Sequence, residues 1–295
     1  MRICKCKQYC IDDNKPSCCL TCFTNTGNHG PRCKRIYIKE TQYNLTTYIT
    51  EYGLISIYNN EFFIKKSFDN NYYWDKTTLK LLKSHIDSKK NILEIGGHCG
   101  TSSIVYASFI SNYNKVYVFE PQKKMYNLLV KNIAQNKLRN KIIPVNRGCF
   151  CYNGEGKMNS TDLDGIKNTN VEEAYEKNNL CNFGGICLGN DGESVELVRI
   201  DDLKIYNIGF IHCDAQGSEN FIFHGGKELI KKYRPVIFYE NNMEYDKKLY
   251  DNVVNAYPEY KEESLFDIKD YCMNVLKYKK CIDKYNNGID SLLLP

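Results

Sequence analysis

The sequence predicts an α/β domain built on a doubly wound, mostly parallel sheet, and three observations predict it. Four continuous apolar runs, NILEIGG (91–97), KVYVFE (115–120), GFIHCD (209–214) and PVIFYE (235–240), alternate with helical patterns such as TSSIVYASFI and KKMYNLLVKNIAQNK. Runs without polar alternation suit strands covered on both faces. Each run also ends at or near an acid, namely Glu94, Glu120, Asp214 and Glu240. Ligands of such sheets sit outside the carboxyl ends of the strands, so these four carboxylates are expected to share one cleft. Finally, the first run breaks into Gly96, Gly97 and Gly100, which let a strand turn sharply into a helix and bring bare backbone close to a ligand.

Three segments follow in order. Residues 1–40 form a Cys-rich module holding seven of the fifteen cysteines and eight basic residues against three acidic ones, a surplus equal to the formal net charge of the whole chain, +5. Cys19 and Cys22 make a CxxC pair, and His29 with Cys33 makes a second pair. With Cys4, Cys6, Cys10 and Cys18 they total eight ligands, enough for two closed tetrahedral zinc sites. So short a segment with few large apolar residues needs such a staple. Disulfides are the rival, against an odd number of cysteines and no export signal. Zinc-bound thiolates would cancel part of the positive charge, so nucleic-acid binding is weakly supported and docking of a protein partner is the plainer reading.

Residues 41–90 are expected to form a bridge. ISIYNNEFFIKK predicts a β-hairpin turning at Asn59 and Asn60, because paired asparagines tolerate positive φ. DKTTLKLLKSHI predicts a helix capped by Asp75, with Leu79, Leu82 and Ile86 on one face. Residues 91–295 then form the main domain. Within it, 151–195 is rich in Gly, Asn and Asp and reads as an irregular insertion facing a substrate. There Asp162 and Asp164 read as solvated loop acids or as contacts to a nucleoside's base, and Cys181 and Cys187 as packed or free thiols.

Glu120 lies 24 positions beyond Gly96, close to the roughly 20-residue spacing at which an acid grips ribose hydroxyls in nucleotide-binding βαβ units. That favours an adenosine-type ligand, either NAD or S-adenosylmethionine. A pyrophosphate prefers uncharged surroundings and helix amides, whereas a sulfonium and an ammonium suit Glu94 and Asp214. From about residue 72 onward the chain resembles the FkbM-type S-adenosylmethionine-dependent methyltransferases. The resemblance runs through NILEIGGHCGTSS, KVYVFEPQKKMYNLLVKNIAQN, VRIDDL, FIHCDAQGSENFIFHGGKELIKKYRPVIFYE and DSLLLP.

The resemblance implies a Rossmann-like, class I methyltransferase fold. It implies a cofactor site at Glu94, Gly96, Gly97, His98, Gly100, Ser102 and Glu120, with Asp214 either holding the cofactor or serving chemistry. Asp214, Gly217 and Glu219 match the family's second acidic block, and Glu240 the acid ending the next strand. The chain departs from the family at Gln216, where a glutamate is usual. Methyl transfer to a hydroxyl gains from a base, and Asp214 is the first candidate, followed by Glu240 and Glu219. His212 reads as a packed core residue. The expected activity is O-methylation of a sugar or other small polyhydroxylated acceptor. Alternatives are methylation of RNA or protein recruited by the Cys-rich module, an inactive zinc-containing binding protein, and, more distantly, an NAD oxidoreductase. With no membrane span and no signal peptide in the sequence, a cytoplasmic location is expected.

Overall fold

The structure, a computed structural model, describes residues 37–40, 44–165, 167–285 and 288–295. The zinc ligand set expected at Cys4, Cys6, Cys10, Cys18, Cys19, Cys22, His29 and Cys33 lies outside the described residues.

Strands β1 (Tyr37–Glu40), β2 (Leu45–Thr50) and β3 (Gly53–Tyr58) form a three-stranded antiparallel sheet. Helices α1 (Phe63–Asp69) and α2 (Lys76–Leu82) lead into β4 (Asn91–Ile95). Then follow α3 (Thr101–Phe109), β5 (Val116–Phe119), α4 (Lys123–Gln135) and β6 (Ile142–Val145). The next segment holds β7 (Gly148–Cys149), β8 (Gly154–Met158), α5 (Val171–Lys177), β9 (Leu188–Gly189) and β10 (Ser194–Val198). The last part carries β11 (Ile208–Cys213), α6 (Glu219–His224), α7 (Lys227–Tyr233), β12 (Val236–Glu240), α8 (Asn242–Tyr245), α9 (Lys247–Ala256), β13 (Lys280–Ile282) and β14 (Asp290–Leu294).

The central sheet runs β13-β14-β12-β11-β4-β5-β6. Strands β6, β5, β4, β11 and β12 are parallel, and β14 pairs antiparallel with both β12 and β13. The chain winds outward from β4 to β6, then returns to β11 on the other side of β4. That reversal opens a crevice at the carboxyl ends of β4 and β11. The sheet is apolar on both faces because neighbouring residues enter different layers. Ile92 and Phe238 join one buried cluster, whereas Leu93 and Ile237 join the other. This is the doubly wound, mostly parallel architecture read from the sequence.

The segment before β4 differs from expectation. The hairpin turns at Glu51 and Tyr52, between β2 and β3, and Asn59 and Asn60 instead end β3. The reason is side-chain chemistry: buried Asn60 donates to the carbonyls of Ala174 and Asn179, at 2.8 and 2.9 Å, fixing the chain where EFFIKK turns helical. Asp75 sits at the N-cap of α2 but makes no side-chain cap bond, its φ being 52°. A cut at 40/41 passes between the paired strands β1 and β2, and Leu45, Tyr48, Ile55 and Ile57 share one apolar cluster with Ile92 and Val118. Asn132 of α4 stitches this join. Its Oδ1 accepts from the Ser56 amide at 2.8 Å, and its Nδ2 donates to the carbonyls of Ser56 and Cys99 at 3.0 and 2.7 Å.

The insertion 151–195 is also more regular than its composition suggests. Strands β7, β10, β8 and β9 form a small sheet in that order, with Leu197 and Val195 buried beneath it. Cys181 and Cys187 are buried there. No helix among the described residues is long and apolar enough to cross a membrane.

Candidate active site

The glycine turn after β4 is fastened on two sides. The amides of Gly96 and Gly97 both donate to the Phe119 carbonyl at 3.0 Å, and the Asp214 amide donates to the Ile95 carbonyl at 3.0 Å. Gly96 has φ 86°, and a Cβ there would lie 1.7 Å from the Asp214 carbonyl oxygen. What requires glycine at 96 is therefore the adjoining strand end itself, not a ligand. At Gly97 the crowding group is the Val118 side chain, 2.1 Å from where a Cβ would stand.

Beside this turn, at the crevice between β4 and β11, lies a cavity of about 350 Å³, within the range that holds small-molecule ligands. Of the candidate site residues, Gly96, Gly97, His98, Ser102, Glu120, Asp214 and Glu240 all line it. Glu94, Gly100 and Glu219 do not.

Glu120 follows β5 and is 3% exposed. Its two oxygens accept from the amides of His98 and Gln122, each at 2.8 Å. A carboxylate offers about four acceptor positions, so capacity for two further donors remains on the cavity side. Burial pushes its pKa up to about 7, against the pull of the two amides. His98, φ 45°, is held neutral by burial, its pKa lowered to about 4. Neither of its ring nitrogens has a hydrogen-bond partner among the described residues.

Glu94 is fully buried and accepts from the hydroxyls of Ser102 and Ser103 in the first turn of α3. Its expected role toward a ligand cation is corrected accordingly: it faces inward because those hydroxyls satisfy a charge that would otherwise be stranded. Across the β4–β11 register it meets His212, whose Nδ1 lies 3.7 Å from Glu94 Oε1 and 3.2 Å from the Tyr106 hydroxyl. Burial works against a charged His212, but Glu94, Asp214 and Asp290 outweigh it and raise the pKa. His212 is packed, as expected, between the rings of Tyr106 and Phe238, and one part of it also lines the cavity.

Glu219 is likewise turned away. It accepts from the amides of Ala215 and Gly217, at 2.8 and 3.0 Å, and from Asn242 Nδ2 at 3.3 Å. It shapes the loop after β11 rather than lining the cavity. That loop presents Asp214 and Gln216, the latter with φ 53°. Gln216 Nε2 donates to Asp214 Oδ1 at 2.6 Å and to Glu240 Oε2 at 3.1 Å. Asn242 Nδ2 adds a bond to Glu240 Oε2 at 2.8 Å. Burial, together with the charges of Asp214 and Glu219, raises the Glu240 pKa well above the usual carboxylate value, and Glu240 shares a hydrogen bond with Asp214.

Two residues of the cavity wall, and one acid near it, carried no site signal in the sequence. Trp74 and Asp75 come from the segment before α2. Asp290 opens β14 beside Glu240, with its pKa pushed up to about 7 by burial and by Asp214. Asp164 lines the cavity and accepts from Asn182 Nδ2 at 3.0 Å. Asp162, expected to be a solvated loop acid, is 1% exposed and accepts from the amides of Asn182 and Asp164. Turn-forming amides stranded under the small sheet need that carboxylate. Among the described residues, no group of three or more His, Cys, Asp and Glu side chains is arranged to hold a metal ion.

No family model matches the sequence, and no curated protein matches it. Among solved structures, the chain is similar to the methyltransferase FkbM from Methylobacillus flagellatus KT at 12% identity and a TM-score of 0.45, over 71% of this chain and 44% of that one. It is similar to the O-methyltransferase from Bacillus cereus in complex with SAH at 16% identity and a TM-score of 0.39, over 75% of this chain and 80% of that one. It is also similar to the Pyrococcus abyssi tRNA (uracil-54, C5)-methyltransferase, in complex with S-adenosyl-L-homocysteine, at 10% identity and a TM-score of 0.40, over 85% of this chain and 43% of that one. The match thus spans less than half of the Methylobacillus chain. At these identities the likeness is one of chain arrangement, and the chemistry rests on the cavity's own side chains.

Proposed function

We propose that this protein is an S-adenosylmethionine-dependent O-methyltransferase acting on a hydroxyl of a sugar or other small polyhydroxylated acceptor. The observation that carries the reading is the placement of Glu120 and Asp214 on one cavity, on opposite sides of the glycine turn that ends β4. Glu120 keeps room for two donors, which matches the paired hydroxyls of a ribose. Asp214 and Glu240 give the opposite wall the negative character that a sulfonium needs. When bound, the cofactor supplies a methyl group activated on that sulfonium.

The residues then divide the work. Glu120, held rigid by two backbone amides, orients the nucleoside. Asp214 accepts the proton of the acceptor hydroxyl as the new C–O bond forms, and Gln216 keeps its carboxylate aimed. Positioning of this kind is the larger part of catalysis for an in-line displacement, with the base adding to it. A neutral amide at 216 supports activity rather than ending it, because only a donor can bridge two acids.

Titration calorimetry tests the reading. The full-length protein should bind S-adenosylmethionine and S-adenosylhomocysteine, reject NAD, and lose most of its affinity in Glu120→Ala. Binding of NAD in preference, or unchanged affinity in the variant, would remove its basis.

A further inference from the structure

The acceptor side of the cavity gathers more carboxyl groups than methyl transfer to a neutral polyol uses. Asp75, Asp214 and Glu240 line it, and Asp290 acts on Asp214, His212 and Asp75 from beside Glu240. The imidazole of His212 is already engaged by Glu94. A cofactor with a sulfonium, an ammonium and a carboxylate adds a single net positive charge, which leaves the wall acidic.

A second, independent observation concerns unused hydrogen-bond acceptors. Ser218 is 1% exposed, lines this cavity, and its hydroxyl has no partner among the described residues. The Gln216 Oε1 is buried and also without a partner among them. Its orientation is fixed, since Nε2 must face the two carboxylates, so the vacant atom can only accept. A hydroxyl ligand brings both a donor and lone pairs that would want donors here. An ammonium brings three donors and no acceptor, and it suits such a wall better. Toward the rim, Phe63 is 37% exposed, and Trp74, the chain's single tryptophan, lines the same cavity. Their rings add a face that favours a cation or the C–H side of a sugar ring.

We infer that the acceptor is an amino-polyol, of the amino-sugar type, whose protonated primary amine is held by Gln216 Oε1 and Ser218 in the field of Asp75, Asp290 and Glu240. A neighbouring hydroxyl of the same molecule is presented to Asp214. The inference rests on the methyltransferase reading above and narrows its substrate class.

The test uses the full-length protein saturated with S-adenosylhomocysteine, titrated in a calorimeter with glucosamine, glucose and N-acetylglucosamine where the amine is protonated. Glucosamine should bind at least about tenfold tighter than the two neutral sugars. Asp75→Asn and Ser218→Ala should each shrink that preference by about threefold or more, the first by weakening the field at the amine and the second by removing an acceptor. Both changes are mild for folding, because Asp75 is exposed and the Ser218 hydroxyl bonds nothing, and thermal melts check this. Equal affinity for the three sugars, no binding of any, or a preference that survives both substitutions would overturn the inference. A preference seen only without S-adenosylhomocysteine would also overturn it, assigning the amine pocket to the cofactor. Failure of S-adenosylhomocysteine itself to bind would instead count against the methyltransferase reading, with the three sugars then compared on the free protein.

Discussion

Gln216 holds Asp214 through a 2.6 Å hydrogen bond from its amide Nε2, made from a backbone in the left-handed region at φ 53°. The bond joins the residue that departs from the family pattern to the residue proposed as base. Gln216→Glu removes the amide donor that joins Asp214 to Glu240, and three carboxyls would then share protons. The rate should fall at neutral pH, and the acidic limb of the kcat profile should move to higher pH. An unchanged profile would mean that Gln216 does not tune Asp214.

Asp214→Asn keeps the shape of the site and removes the base. We expect kcat for methyl transfer to drop by about a hundredfold or more, while the Kd for S-adenosylhomocysteine changes far less. A loss confined to cofactor binding would assign Asp214 to the cofactor instead.

Glu120 carries a pH signature. Its pKa is pushed up to about 7 by burial, and ribose hydroxyls would donate to the ionised form. Cofactor affinity should therefore rise as pH climbs toward 7 and level off above it, with proton release on binding below 7. Calorimetry in two buffers of different ionisation enthalpy measures that release, and Glu120→Gln should abolish it.

Buried acids should also shape stability. Glu61, Glu120, Glu219 and Asp290 are each pushed up to about 7, chiefly by burial. Each group binds its proton more tightly folded than unfolded. The stability they contribute is present below their unfolded values near 4 and is lost as pH rises through 7. The melting temperature of the ligand-free protein should be higher near pH 5.5 than near pH 8, all else equal, and a flat or opposite trend would contradict the burial of these groups.

Gly96→Ala places a methyl group 1.7 Å from the Asp214 carbonyl oxygen, at a φ of 86°. Backbone must move, because the obstacle is a strand end and not a flexible side chain. A loss of about 3 kcal/mol or more is expected in denaturant unfolding. The loop at 214 should shift with it and weaken cofactor binding.

How far the sequence reached can be judged residue by residue. The four apolar runs became parallel strands because neighbours such as Ile92 and Leu93 each have an apolar layer to enter. Glu120, Asp214 and Glu240 were legible for the same reason, since each closes such a run. Glu94 and Glu219 misled because an acid ending a strand or opening a helix reads alike whether it meets a ligand or nearby hydroxyls and amides. For Glu94 the signal was available in Ser102 and Ser103, eight and nine residues on. Asp75 and Asp290 lie far apart in the chain, and only the sheet order sets Asp290 beside Glu240. Asn59 and Asn60 do form a turn, but not that of a hairpin, because Asn60 is held by a pair of carbonyls more than a hundred residues away.

The most direct measurement is a crystal structure of the full-length protein with S-adenosylhomocysteine. The account predicts both ribose hydroxyls on the Glu120 carboxylate and the sulfur turned toward Asp214, with Glu94 still bound to its two serines. A nucleoside lying elsewhere, or one whose ribose leaves Glu120 untouched, would contradict it.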